Sequence, residues 1–380
     1  MKHHDRSGYN IYPTTRKRRN NNNRRTIFVI SCLLICLLCV ILSIVFIVRL
    51  VSKSNKDTTT SVTTAENVLV SDDPGNVASL PVDDDPDPSS SSESGTARVQ
   101  TVDAATREAN LAALEQQVAD YLNQQDGRFG VYYLNMNNGE CLGFKENQPI
   151  VAASTIKIAY NTYLYERIAS GEISLDEKMT YNAAAYPTGD YEGGTGTIQN
   201  SADGTEYTLR EVSNLCITIS DNCATNMILR RLGGEDSVNE NYLKPISCVV
   251  DYRGTYSYTD CTGTEKSGKR RTSAIDLAKY TEHLYRDYKG NQAVFQPLID
   301  DLCTTEYNWG LPAGVPSDVS VAHKVGFYPT YYTYNDVGIV FASEDYVLCV
   351  LTECGDEETA HQIIGEVSRM IYAYVESNYA

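Results

Sequence analysis

Two short motifs in this chain combine side chains that are suited to acyl transfer. Ser154 and Lys157 form an S-x-x-K motif, and Ser220 and Asn222 are the ends of an S-D-N motif. A lysine three residues after a serine lies nearly one helical turn further on, so both side chains share a face. If burial lowers its pKa, the Lys157 amine can accept the hydroxyl proton of Ser154 and make that oxygen a nucleophile. The sequence therefore predicts a nucleophilic serine activated by lysine.

A third motif, K-x-G, follows about a hundred residues later at Lys324 and Gly326. The S-x-x-K and K-x-G patterns each occur readily by chance in a chain of this length, and S-D-N is rarer. The alternative interpretation is structural, with Ser154 as a helix N-cap and Lys157 as an exposed helix lysine. The order of the three motifs favours the catalytic interpretation.

The elements around these motifs predict an α+β domain. Residues 107–123, 155–169 and 357–379 have helical patterns, and the middle of the chain to about residue 287 is mostly helical. Strand-like runs come near both ends, at 129–134, 140–144, 319–324, 335–342 and 346–352. An Asn-Gly pair joins the first two as a hairpin. We expect these runs to form one antiparallel sheet, with the middle as a helical insertion beside it.

Longer stretches around the motifs resemble class A β-lactamases. They read AASTIK at 152–157, ASGEISLDE at 169–177, GGTGTI at 193–198, YTLREV at 207–212, ISDNCATN at 219–226, RRLGG at 230–234, TSAIDLA at 272–278, HKVG at 323–326 and NDVG at 335–338. The resemblance covers about residues 107–380. It identifies this part as a member of the serine β-lactamase and penicillin-binding protein superfamily. It implies a β-lactamase/transpeptidase-like fold, no cofactor, and a β-lactam or peptidoglycan peptide as substrate.

The resemblance also implies roles for the second motif. Ser220 would pass a proton to the leaving nitrogen of the substrate. Asn222 would orient both Lys157 and the substrate amide. Asp221, between them, is expected to hold the turn rather than to take part in the chemistry.

For the third motif the resemblance implies substrate binding. Lys324, on an edge strand, would attract the substrate carboxylate, and Gly326 would let the strand backbone approach closely. The backbone N–H groups of Ser154 and Phe327 would form the oxyanion hole. The family usually has Thr or Ser after this lysine, whereas this chain has Val325, which cannot donate a hydrogen bond.

One family motif is missing. Class A β-lactamases carry a glutamate in an E-x-x-L-N loop, which activates the deacylating water, and residues 232–272 contain no such motif. Glu235 and Glu240 lie too early in that segment, and Asp260 and Glu265 are weak substitutes. The sequence thus predicts formation of an acyl-enzyme but not its efficient hydrolysis.

Three functions remain open on this basis. The first is a β-lactamase, and the second is a D,D-peptidase or esterase that acts on wall peptides and releases β-lactams slowly. The third is a non-enzymatic penicilloyl sensor or wall-binding module. The sensor is disfavoured because residues 1–26, which are assigned to the cytoplasm below, are too few to form a signalling domain.

The N-terminal region predicts a membrane anchor. Residues 1–26 have eight Lys/Arg and one acid, a charge of +7, so a chain with a net charge of −17 has −24 in the remainder. Residues 27–48 are uncharged and apolar, and we predict a transmembrane signal-anchor helix over 27–50. The basic residues before it place the N-terminus in the cytoplasm and the rest outside the cell. A cleaved signal peptide is the alternative, but its apolar region is normally shorter and is followed by small residues.

The remaining composition defines the linker and limits the partners. Residues 51–106 are rich in Ser, Thr, Asp and Pro, so we predict a disordered linker before the hydrolase domain at 107–380. The acidic remainder of the chain argues against a nucleic-acid partner.

Eight cysteines follow the predicted span, and an oxidising exterior would permit disulfides. No paired C-x-x-C, H-x-H or H-E-x-x-H spacing occurs, so no metal site is expected.

Overall fold

The structure is a computed structural model, and it describes residues 100–379. In chain order the elements are α1 (Ala104–Asn123), β1 (Arg128–Asn135), β2 (Cys141–Phe144), β3 (Ile150–Val151), α2 (Lys157–Ala169), β4 (Lys178–Thr180), β5 (Glu206–Thr208), α3 (Leu209–Thr218), α4 (Asn222–Arg231), α5 (Glu235–Val238), α6 (Lys244–Ile246), β6 (Tyr256–Thr259), β7 (Glu265–Gly268), β8 (Arg271–Thr272), α7 (Ala274–Gly290), α8 (Gln292–Cys303), β9 (Ser320–Tyr328), β10 (Thr333–Phe341), β11 (Tyr346–Glu353) and α9 (Glu357–Ser377).

Both ends of the domain contribute to one five-stranded sheet. Its strand order is β2-β1-β11-β10-β9, and every neighbouring pair is antiparallel. The N-terminal hairpin therefore pairs with the last strand of the chain, and the helical middle is an insertion between them. This arrangement confirms the α+β prediction. It leaves β9, the strand of the K-x-G motif, at one edge of the sheet.

Side chains on the two faces of the sheet enter different cores. Along β11, Leu348 and Val350 pack with α1 and α9, whereas Val347 and Leu351 pack with the helical middle. Alternate residues of a strand point to opposite faces, and β11 is buried along its whole length. A strand covered on both faces reads as a continuous apolar run, as residues 346–352 do. Helices therefore flank the sheet on both sides.

An ion-pair network joins α1 to the sheet. Arg107 is 7% exposed, and its guanidinium donates to Glu140 at 2.7 and 2.8 Å and also contacts Glu344. The helix begins three residues earlier than the sequence predicts. Asp103 caps its N-terminus by accepting a 2.9 Å hydrogen bond from the backbone of Thr106, so the first turn of the helix lies inside the segment predicted as linker.

The other boundaries differ by a few residues. Strand β9 continues four residues beyond the predicted run, to Tyr328, because its backbone stays paired with β10 as far as Thr333. Cross-strand pairing is a tertiary property that the pattern of one strand does not contain. The extension matters because it places Phe327 within the strand.

The predicted tail 1–26, the predicted transmembrane segment 27–50 and nearly all of the predicted linker 51–106 lie outside the described residues. Between residues 100 and 379, no helix is both long enough and apolar enough to cross a bilayer. The eight cysteines in this part of the chain are free thiols.

Candidate active site

A short 3-10 turn holds Ser154. The turn covers Ala153–Ile156, and α2 begins only at Lys157, whereas the sequence predicts a helix that begins at Ser154. Ser154 makes no capping hydrogen bond, so the structural interpretation of this serine as an N-cap is wrong. A 3-10 helix has three residues per turn and eclipses side chains three apart. Lys157 directly follows this turn, and both Ser154 and Lys157 line the cleft described below.

Two neighbouring strands of the sheet position this turn. Asn335 on β10 donates a 2.8 Å hydrogen bond to the carbonyl of Val151, just before the turn. Gly326 on β9 faces it directly, because a Cβ added there would lie 2.6 Å from the backbone nitrogen of Thr155 and 2.8 Å from that of Ser154. Only glycine permits this approach. Phe327 follows next on the strand and lines the cleft described below.

We expect Gly326→Ala to damage the site more than the fold. The added Cβ meets backbone atoms, which cannot rotate away, so β9 and the turn must separate. A displacement of about 1 Å at a reacting group costs roughly 100-fold in rate. Acylation of Ser154, followed by intact mass, measures the loss. An acylation rate within about threefold of the parent's would contradict this close approach.

Lys157 is buried at the centre of the site. It is 4% exposed, and its Nζ donates to the Ser220 carbonyl at 2.7 Å and to Asn222 Oδ1 at 2.9 Å. The same Nζ lies 3.2 Å from Ser220 Oγ. Burial, which penalises the charged form, lowers the pKa of Lys157 from its usual range. A neutral amine in this position can accept a proton.

The S-D-N segment is held by its aspartate. Asp221 is fully buried, caps α4 by accepting from Ala224 at 2.9 Å, and accepts from the backbone of Thr197 at 2.6 Å and Ile198 at 2.8 Å. Ser220, just before it, has the left-handed φ of 56°. The aspartate thus holds the turn, as the sequence predicts.

Lys324 does not reach the surface. It is 0% exposed, and its Nζ donates to the Val325 carbonyl at 3.1 Å. Burial, together with the positive charge of Lys157, lowers the pKa of Lys324 to about 7. Two lysines therefore share this interior, and near neutral pH half of the Lys324 side chains carry a charge.

This pKa predicts a pH dependence for anionic substrates. A protonated Lys324 attracts a substrate carboxylate, so the attraction is present below about pH 7 and is lost above it. Because the protonated fraction falls about tenfold from about pH 6 to about pH 8, we expect KM for a carboxylated β-lactam to rise up to about tenfold over that range. Stopped-flow acylation rates measure it. In Lys324→Met, KM should be high at both pH values. A rise of equal size in that variant would contradict the assignment.

These residues surround an open cleft with a volume of about 540 Å³. Ser154, Lys157, Asn222 and Phe327 line it. Ser220, Lys324 and Gly326 are buried behind this surface. All seven residues selected from the sequence thus lie in one region, although they come from segments up to about 170 residues apart.

The cleft also contains an acid that the sequence interpretation set aside. Glu235 lines the cleft, although it lies early in the segment 232–272. It is 8% exposed, and its carboxylate accepts from Arg270 at 2.9 and 3.1 Å and contacts Arg253. Both arginines follow it by 18 residues or more, so no local signal reveals the placement. The other three acids do not line the cleft.

Arg271, which the sequence analysis also missed, forms a cationic part of the wall. It is 3% exposed, and its guanidinium lies 5.2 Å from the ring centres of both Tyr258 and Tyr331. Within residues 100–379 it has no ion pair with a carboxylate. On another part of the wall, Glu192 accepts a 3.0 Å hydrogen bond from Asn226. The cleft therefore has both anionic and cationic groups for a charged substrate.

Two beta-lactamases resemble this chain in sequence. In sequence, the chain is 26% identical over 287 residues to a beta-lactamase of Nocardia asteroides (AST-1), which covers 73% of this chain and 88% of that protein. It is 28% identical over 279 residues to a beta-lactamase of Streptomyces fradiae, with coverages of 70% and 84%.

Solved structures of related proteins superpose on this domain. A PBP-A mutant in an acyl-enzyme complex with penicillin G has 28% identity and a TM-score of 0.59, covering 70% of this chain and 97% of that one. The class A beta-lactamase of the last common ancestor of Gram-negative bacteria shares the fold, with 23% identity, a TM-score of 0.57, and coverages of 70% and 100%. A family model described as the beta-lactamase enzyme family matches residues 113–375. This chain therefore belongs to the beta-lactamase enzyme family.

Proposed function

We propose that this chain is a serine hydrolase that opens β-lactam rings by acylating Ser154. The observation that carries the proposal is the position of the Lys157 amine. It is buried, with a lowered pKa, lies 3.2 Å from the hydroxyl of Ser220, and belongs to a residue that lines the same cleft as Ser154. We infer that this one amine serves both Ser154 as its base and Ser220, the group that can protonate the leaving nitrogen.

The reaction follows from these contacts. Ser154 Oγ attacks the lactam carbonyl carbon while its proton moves to Lys157 Nζ. The backbone N–H groups of Ser154 and Phe327 stabilise the oxyanion. The carbon–nitrogen bond then breaks, and the leaving nitrogen takes the proton of Ser220 Oγ, which Lys157 Nζ replaces. The amine is neutral again at the end, and the acyl group remains on Ser154.

We further propose that the acyl-enzyme is hydrolysed slowly. Glu235 is the buried acid of the cleft, and two guanidinium groups occupy its carboxylate oxygens. Because both oxygens already accept from guanidinium groups, they are poorly placed to bind and orient a water. The same observation favours a second candidate, a D,D-peptidase or esterase of peptidoglycan peptides, for which β-lactams are slow substrates.

Glu235→Gln tests the deacylation step. Because both carboxylate oxygens are occupied by Arg253 and Arg270 rather than by a water, we expect the lifetime of the acyl-enzyme to change by less than about threefold. The variant should lose stability, roughly 1–3 kcal/mol, since Arg253 and Arg270 lose their charged partner. Intact mass after removal of free β-lactam measures the lifetime, and thermal melting measures stability. A lifetime that increases tenfold or more would identify Glu235 as the deacylating base.

The cellular arrangement is also a proposal. The apolar segment 27–50 would anchor the chain in the cell membrane, with residues 1–26 in the cytoplasm and the catalytic domain outside. The linker 51–106 would separate the domain from the bilayer. Retention of the full-length chain in membranes after an alkaline wash, with removal of the domain by external protease, tests this arrangement. Release of the chain by the wash would contradict it.

Mixing the purified full-length chain with a chromogenic cephalosporin tests the proposed activity. Colour and intact mass are followed together. One adduct per chain on Ser154, followed by slow turnover, is the expected result. Fast steady turnover without an adduct would favour an efficient β-lactamase and overturn the proposal of slow deacylation. Absence of both adduct and turnover would overturn the acylation itself.

A further inference from the structure

Three side chains of metal-binding type meet outside the cleft. Glu166 lies on α2, nine residues after Lys157, and His283 and Asp287 lie on α7. One ligand atom from each lies within 4.8 Å of the other two. Because His283 and Asp287 are four residues apart, they occupy the same face of α7, and this face meets the side of α2 that carries Glu166.

The two carboxylates face each other without a cation. Within residues 100–379, neither Glu166 nor Asp287 forms an ion pair with lysine or arginine. Glu166 Oε1 and Asp287 Oδ2 are buried and have no hydrogen-bond partner in the described part of the chain. Like charges held this close are unfavourable unless a proton or a metal ion lies between them.

A buried phenol completes the surroundings. Tyr242 is 3% exposed, and its hydroxyl has no hydrogen-bond partner. A phenol O–H in this position can donate to a carboxylate that already binds a metal. His283 packs against the same ring, with 6.0 Å between ring centres.

We propose that Glu166, His283 and Asp287 bind a divalent transition-metal ion of the zinc type, which ties the active-site helix α2 to α7. One imidazole nitrogen and two carboxylate oxygens form a ligand set suited to Zn²⁺, with a water in the fourth position. Ca²⁺ prefers six or more oxygen ligands and takes no imidazole.

The geometry permits this ligation after a small adjustment. Ligand atoms around tetrahedral zinc lie roughly 3.3 Å apart, given zinc–ligand distances of about 2.0–2.2 Å. His283 Nε2 and Glu166 Oε1 are already 3.6 Å apart. Since no separation exceeds 4.8 Å, the longest must shrink by at most about 1.5 Å, which a rotation of the flexible Glu166 side chain can supply. His283 is 45% exposed, so an ion can enter from solvent.

Zinc titration of the full-length chain, stripped beforehand with a chelator, tests the proposal. At a free Zn²⁺ concentration far above Kd, we expect the melting temperature to rise by roughly 5 °C or more. Calorimetric titration should show one more bound ion than in Glu166→Gln or His283→Gln. Zinc bound by the N-terminal His3 and His4 is common to all variants and cancels in this difference. Ca²⁺ at the same concentration should give no shift.

Two variants control for folding and for simple His–carboxylate pairs. His361→Gln removes a histidine whose Nε2 lies 3.7 Å from Glu357 but which has no second acid, so it should keep the full zinc shift. Asp287→Asn removes the like-charge pair, so without metal it should melt at the parent temperature or higher, yet zinc should not stabilise it. If zinc does not raise the melting temperature of the parent, the two acids only share a proton and the proposal is overturned. The proposal is also overturned if zinc raises the melting temperatures of Glu166→Gln and Asp287→Asn as much as that of the parent.

Discussion

Ser154→Ala is expected to abolish formation of the covalent adduct and to reduce kcat/KM for a chromogenic cephalosporin by roughly 10⁴-fold or more. Without the hydroxyl no acyl-enzyme forms, and the remaining groups of a serine hydrolase site can only polarise the substrate for attack by water. A loss of this size corresponds to about 5.5 kcal/mol of transition-state stabilisation. Stopped-flow kinetics and intact mass measure the two effects.

The fold should survive this change. The side chain of Ser154 makes no capping hydrogen bond, so its removal leaves no group without a partner there. We expect a melting temperature within about 2 °C of the parent's. Thr155→Ser, at the neighbouring position, is the matched control, because it keeps the hydroxyl that donates to the Ala152 carbonyl and should keep the adduct. An adduct of unchanged mass in Ser154→Ala would place the nucleophile elsewhere.

Lys157→Met is expected to reduce the acylation rate by about 10²–10⁴-fold, the usual contribution of a general base. Methionine has a similar length and packs well but cannot accept a proton. In the parent, the rate should rise with pH as Lys157 loses its proton, with a midpoint below the ordinary lysine pKa because burial lowers it. In the variant this rise should disappear. The acylation rate measured between about pH 5 and pH 9 tests both expectations.

Stability should change little in this variant, since two effects oppose each other. Removing a buried ammonium relieves a desolvation cost, whereas the Ser220 carbonyl and Asn222 Oδ1 lose a donor, at a cost of about 1–3 kcal/mol. A folded variant with a normal melting temperature and a slow reaction supports the role as base. A variant that keeps the pH-dependent rise of the parent would contradict it.

Local patterns predicted the sheet well. Residues 346–352 form a continuous apolar run because β11 is covered on both faces. The Asn-Gly pair correctly predicted the hairpin in which β1 pairs with β2. The ends of elements were less predictable, because they depend on contacts with other parts of the chain. The cap of Asp103 at α1 and the pairing of β9 with β10 as far as Tyr328 are two examples.

The sequence by itself determined the chemical groups and their order along the chain. Ser154, Lys157, Ser220, Asn222 and Lys324 were identified from motifs, since spacing within a helical turn and family resemblance are both local properties. The motifs also predicted that Ser154 and Lys157 share a face. In the structure both residues line the same cleft.

Only the tertiary structure decided how these groups are tuned and what surrounds them. Burial shifts the pKa values of Lys157 and Lys324, and burial results from packing of the whole domain. Arg253 and Arg270 hold Glu235 in the cleft from 18 and 35 residues further along the chain. The histidine spacing gave no sign of a metal site, because His283 meets Glu166 only where α7 packs against α2. Such long-range contacts leave no periodic signal in the sequence, since each depends on two segments that the folded chain brings together.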